Sequence, residues 1–80
     1  MTQQEILNQV QEIFSDVLDI ADIVITETTT ASDIEEWDSL SHIQLVVTIE
    51  KRFDIKFTSE EIMEWKNVSD IIKTIEGKNV

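Results

Sequence analysis

Apolar positions recur at helical spacing over residues 3–18. Ile6, Leu7, Val10, Ile13, Phe14, Val17 and Leu18 share one face, with Glu5, Asn8, Gln9, Glu12 and Asp16 on the other. Thr2 and Glu5 stand three apart, the spacing of a capping box at a helix start. From 19 to 37 the helical period disappears. Ile23-Val24-Ile25 and the threonines Thr26, Thr28, Thr29 and Thr30 have the β-branched composition of a strand. The partner on offer is the short alternation Ile55-Lys56-Phe57, and a lone two-stranded ribbon is marginal in water. The preferred expectation is an extended loop that tucks Ile23 or Ile25 into the core. Ser32 and Glu35 are spaced to cap a single helical turn within it.

The period returns over 38–53, where Asp38 or Ser39 can accept from a free N–H of the first turn. Ile43, Leu45, Val46, Ile49 and Phe53 are expected to point inward. Leu40 and Val47, seven apart, lie on the outer edge with Ser41, Gln44 and Lys51. These two side chains either pack under the long loop or form a small docking stripe beside Ser39. Residues 54–58 turn the chain. Thr58 and Glu61 can cap a short third helix whose apolar contacts come from Ile62, Met63 and Trp65. Val68, Ile71, Ile72 and Ile75 form the stripe of a last helix over 68–77, with Gly77 placed as its C-terminal cap. The expected fold is all-α: a four-helix bundle with a long loop between the first two helices and a short third helix.

Composition narrows the function more than the fold. Eighty residues suffice for a single domain, 1–80. Six Lys and Arg against 17 Asp and Glu give a net charge of −11. Such a surface repels nucleic-acid phosphates and anionic lipid, and it suits partners with basic patches. No cysteine is present, so disulfides and thiolate metal sites are excluded. Nothing near Met1 resembles a signal peptide and no apolar run is long enough to cross a bilayer, so a cytoplasmic protein is expected.

Candidate chemistry is sparse. His42 stands three residues after Ser39, so the two can face each other along a helix, but a hydrolase would also need an orienting group and an oxyanion hole. No glycine-rich turn supplies one, and no enzyme activity or catalytic residue is expected. His42 reads better as a histidine at the edge of the core. Asp33, Glu35, Glu36 and Asp38 lack the order of a calcium loop and read as a solvated acidic lip, so no metal site is assigned. Ser39 is an exposed hydroxyl on a rigid element. Its position suits either a simple helix cap or the attachment point of a phosphate-linked arm, which would meet the positive end of the helix dipole.

Asp38-Ser39-Leu40, followed by Ile43, Leu45-Val46, Glu50 and Phe53, resembles the acyl carrier protein family. The likeness extends over nearly the whole chain, through size, acidity, helix order, the long first loop and the Thr58-Ser59-Glu60-Glu61 turn. The resemblance implies a 4'-phosphopantetheine on Ser39, installed from coenzyme A by a phosphopantetheinyl transferase, with Asp38 assisting the transferase and its magnesium. It implies that the arm's thiol holds acyl or aminoacyl groups as thioesters. Partners would grip Leu40, Val47, Glu50 and Glu36: a loading ligase, synthases and transferases with basic docking patches, meeting a monomeric carrier. The chain departs from carriers of fatty acid synthesis at Ser41, Gln44 and Lys51, where those usually have acids. It also has Trp37 beside the place of a common glycine, and one extra residue between Asp33-Ile34 and Ser39. These departures favour a specialised pathway, such as polyketide, nonribosomal peptide, or lipid or saccharide modification, over fatty acid synthesis. The rival expectation is an unmodified acidic interaction module that docks through Leu40 and Val47.

Overall fold

The first helix, α1 (Gln3–Leu18), is fixed at both ends by local chemistry in the computed structural model, which describes residues 2–78. The Thr2 hydroxyl accepts from the Glu5 N–H at 3.2 Å, and the Glu5 carboxylate accepts from the Thr2 N–H at 3.0 Å. That second bond holds the Glu5 carboxyl below its ordinary pKa. Asp19 ends the helix in the left-handed region, at φ 54°, and donates its N–H to the Ser15 carbonyl. Three further helices follow: α2 (Ser39–Phe53), α3 (Ser59–Met63) and α4 (Val68–Glu76). α1 packs against both α2 and α4. The core lies between them, built on Ile6, Val10, Ile13 and Phe14 from α1, Leu45 and Ile49 from α2, and Val68, Ile71, Ile72 and Ile75 from α4. The four-helix bundle and its order are as expected.

The long connection between α1 and α2 is a loop, and it is tied down at several points. Ile25 is buried, Ile23 is half-buried, and Val24 between them faces solvent. The Ile25 N–H donates to the Gln11 side chain of α1 at 3.0 Å. The threonine run serves as a cap. The Thr29 carbonyl accepts from the Val68 N–H and the Glu27 carbonyl from the Ser69 N–H, both at 2.9 Å, so the loop satisfies two free donors at the start of α4. An isolated antiparallel bridge pairs Thr30 with Asn67. A short 3-10 turn forms at Ala31–Asp33. It is closed by the Thr30 N–H donating to Asp33 at 2.9 Å, rather than by the expected pair of Ser32 and Glu35.

Other local expectations are corrected. Ile43 is 62 % exposed. At 100° per residue it lies roughly 120° from Ile49 but only about 40° from Val47, which puts it on the outer arc. Ser41, expected outside, is 9 % exposed because the loop before α2 folds over it. Met63 gives α3 no core contact and is 83 % exposed; Ile62 and Trp65 are half-buried. Gly77 does cap α4, but at φ −64° it uses no conformation special to glycine. The left-handed caps belong to Asp19 and to Asp54, which ends α2 at φ 55°.

Candidate functional site

The four residues Asp38 to Ser41 at the start of α2 are set by one hydrogen-bond system. Asp38 is the N-cap, and its carboxylate accepts from the Ser41 N–H at 2.9 Å. This decides between the two candidate caps and leaves the Ser39 hydroxyl free of capping. Ser41 completes the reciprocal box in the role usually filled by glutamate. Its hydroxyl accepts from the Asp38 N–H at 2.8 Å and donates to the Glu36 carbonyl at 2.9 Å. The bonds from Ser41, backbone first and then side chain, hold the Asp38 carboxyl below the usual carboxylate range, so it is ionised at neutral pH. Ser39 and Leu40, between the two ends of this box, are exposed. No hydrogen bond engages the Ser39 hydroxyl among the described residues.

Behind Ser39 an open cleft of about 500 Å³ separates α2 from α3. Trp37, Ser39 and His42 line one side, and Ile62, Met63 and Trp65 the other. The rings form a chain from the core outward. Trp37 meets Phe14 edge-on at 5.0 Å and stacks on His42 at 6.0 Å; His42 meets Trp65 edge-on at 5.9 Å. The Trp37 indole N–H donates to His42 Nδ1 at 3.0 Å, and the Trp65 indole N–H to the Thr74 hydroxyl at 3.0 Å. Burial keeps the His42 imidazole below its ordinary pKa, hence neutral at pH 7. With Nδ1 accepting, the imidazole proton sits on Nε2. That tautomer leaves His42 no free basic nitrogen with which to activate Ser39. The two residues share a cleft but form no nucleophile–base pair.

The predicted docking residues separate into different roles. Leu40 and Val47 are exposed, and Ile43 joins them to make a continuous apolar stripe along α2. Ile43 was missed because its wheel position borders both arcs; its spacing of three from Leu40 and four from Val47 was the available signal. Glu36 is exposed on the lip before α2. Glu50 is half-buried, and its carboxylate accepts from the Phe57 N–H at 2.8 Å, which closes the turn into α3. Lys51 and Lys56 flank Val47 in a second groove at the far end of α2. The acids at 33–38 do not converge: among the described residues no group of three or more His, Asp or Glu could hold a metal ion. No helix there is long and apolar enough to cross a membrane.

Comparison with known proteins accords with this geometry. The family model described as "Phosphopantetheine attachment site" matches residues 8–75. The acyl carrier protein of Brachyspira hyodysenteriae is 33 % identical over 72 residues, which span 89 % of this chain and 92 % of that one. The meromycolate extension acyl carrier protein of Mycobacterium tuberculosis is 29 % identical over 76 residues, 95 % of this chain and 66 % of that one. Among solved structures, holo acyl carrier protein from Geobacter metallireducens superposes with a TM-score of 0.85 at 42 % identity, covering 90 % of this chain and 83 % of that one. Such proteins are carriers rather than enzymes, and their prosthetic group is a covalently attached phosphopantetheine. The residues here fit that group: a free hydroxyl on a rigid helix start, an ionised carboxylate beside it, and an open cleft behind. With site geometry, sequence and fold in agreement, the chain belongs to the acyl carrier protein family.

Proposed function

We propose that Ser39 carries the phosphopantetheine arm and that the protein serves a specialised biosynthetic pathway. The observation that carries the first part is the contrast between neighbouring serines. Ser41 is buried with its hydroxyl doubly bonded, whereas Ser39 is exposed with its hydroxyl unengaged. The arm, once attached, supplies a terminal thiol that holds an acyl or aminoacyl group as a thioester. The chain's own residues do the remaining work. α2 fixes the attachment point, and Asp38 stays ionised with one oxygen committed to the cap, so the other can face a transferase's magnesium. Leu40, Ile43 and Val47 offer an apolar grip beside Ser39. A tether confers a high effective concentration at each enzyme visited, and weak exposed ion pairs let the carrier leave again.

The charge pattern of α2 supports a specialised rather than a housekeeping role. Acids flank its start at Glu35, Glu36 and Asp38, while Lys51 and Lys56 stand at its far end. Among the described residues neither lysine is in an ion pair. Its partners are therefore enzymes that place a basic patch near Ser39 and an acid near Lys51: a phosphopantetheinyl transferase, a loading ligase, and a synthase or transferase. Polyketide, nonribosomal peptide, and lipid or saccharide modification chemistry all use such a cycle, as does fatty acid synthesis. The setting is a monomer in the cytoplasm. To test this, the protein is isolated from its native cells and the peptide containing Ser39 is fragmented by mass spectrometry. A phosphopantetheine fragment bearing an acyl or aminoacyl thioester is expected, and its mass names the cargo class. An unmodified Ser39 in all growth phases contradicts the reading.

A further inference from the structure

The cleft beside Ser39 holds one polar group whose purpose the carrier role leaves unexplained. His42 is fixed by two aromatic neighbours and by the 3.0 Å bond from Trp37, a costly arrangement for a side chain that could have been another apolar residue. That bond settles the tautomer, so the remaining nitrogen is an N–H donor. Among the described residues no acceptor engages it. Ser39 and His42 are three apart on one helix face, a spacing that brings their side chains together, and both line the same cleft. Across it stand Trp65 and Met63, a flat ring and a flexible thioether, with Met63 83 % exposed.

We propose that His42 is a positioning residue for the phosphopantetheine arm: its Nε2–H donates to the phosphodiester of an arm attached at Ser39, so that the arm rests in the cleft against Trp65 and Met63. This inference rests on the attachment reading given above. The donor is neutral and the acceptor anionic, which makes a charge-assisted bond stronger than a neutral one. The cleft's lining, part aromatic and part aliphatic, suits the amide and branched methyl groups of a pantetheine chain. Because the arm is anchored on the lip of the cleft, entering it costs little additional ordering. Among the described residues that line this cleft, Asp38 is the one ionisable group besides His42, and its carboxylate is already turned to the Ser41 N–H. Partner enzymes would draw the arm out, so the bond sets how readily the thiol leaves the carrier.

The test uses nuclear magnetic resonance on isotope-labelled protein, apo and after loading from coenzyme A, together with His42→Asn. Asparagine keeps an acceptor near the place of Nδ1 for the Trp37 indole while removing the Nε2 donor. Intact mass is read first; failure to gain one phosphopantetheinyl group on Ser39 overturns the attachment reading and this inference with it. In loaded wild type we expect nuclear Overhauser contacts from the arm's paired methyl groups to Trp65 and Met63, and a shift of His42 Nε2 relative to apo. In loaded His42→Asn those contacts should lose more than half their intensity and the phosphorus resonance should move, while the Trp37 indole N–H stays protected from solvent exchange as in wild type. Loaded wild type without such contacts, or contacts unchanged in His42→Asn, overturns the inference and leaves the attachment reading standing.

Discussion

Ser39 and Ser41 show how two identical side chains, two residues apart, come to opposite environments through their hydrogen bonds. Ser41 closes the box that starts α2, and both the donor and the acceptor capacity of its hydroxyl are used. Ser41→Ala should therefore lower unfolding free energy by about 1–2 kcal/mol, measured by urea denaturation, because the Asp38 N–H and Glu36 carbonyl lose a partner in a half-buried place. Ser39→Ala should leave stability within about 0.5 kcal/mol, as expected of an exposed position without partners. The exposed setting of Ser39 at a helix start was legible from its neighbours in sequence, Asp38 and Leu40. The burial of Ser41 was not, since it depends on the path of residues 36–38 and no periodicity encodes that path. His42 adds a pH dependence. Its pKa is depressed in the folded state, so the unfolded chain binds more protons below the ordinary value near 6.5. Its contribution is complete above about pH 6.5 and is lost as pH falls through the folded value. Thermal midpoints should thus decline from pH 7 to pH 5.5 in wild type, and the decline should be shallower in His42→Asn.

At the scale of elements, α2 carries two apolar stripes in different settings. The inner one, Leu45, Val46, Ile49 and Phe53, is buried against the bundle and accounts for the packing on α1. The outer one, Leu40, Ile43 and Val47, is exposed and has no structural need to be apolar. Ile43→Ser should leave urea stability nearly unchanged. It should reduce kcat/KM for modification by a phosphopantetheinyl transferase about tenfold, corresponding to ~1.4 kcal/mol of lost contact. An unchanged kcat/KM would remove Ile43 from the docking face. The long helices were legible because their apolar repeats are strong and their caps are local in sequence. The threonine run was harder to read: its β-branched residues suggest a strand, yet the described residues hold no sheet for them to join. The carbonyls of Glu27 and Thr29 instead meet the start of α4, a contact between segments about 40 residues apart that no local pattern records. α3 was legible as a short helix, but its fastening was not. It depends on Glu50 bonding the Phe57 N–H and on the Lys78–Glu61 ion pair at 3.0 Å.

Across the whole molecule, a small core supports a highly charged surface. A chain of this length has a stability of roughly 4–12 kcal/mol. Truncating fully buried Phe14, which also meets Trp37 edge-on, should cost about 3–5 kcal/mol and leave little margin for folding. The net charge of −11 acts outside the core, on encounter. Raising ionic strength from about 0.05 to 0.5 M should slow transferase modification at limiting carrier concentration by about tenfold, since steering fades as the screening length shrinks. All of these effects serve one claim, that a single exposed hydroxyl at the start of α2 is the molecule's point of work. The most direct measurement is the intact mass of wild type, Ser39→Ala and Ser41→Ala after incubation with coenzyme A, magnesium and a broad-specificity phosphopantetheinyl transferase. Wild type and Ser41→Ala should each gain one phosphopantetheinyl group and Ser39→Ala none; modification of Ser39→Ala, or none of wild type, would contradict the account.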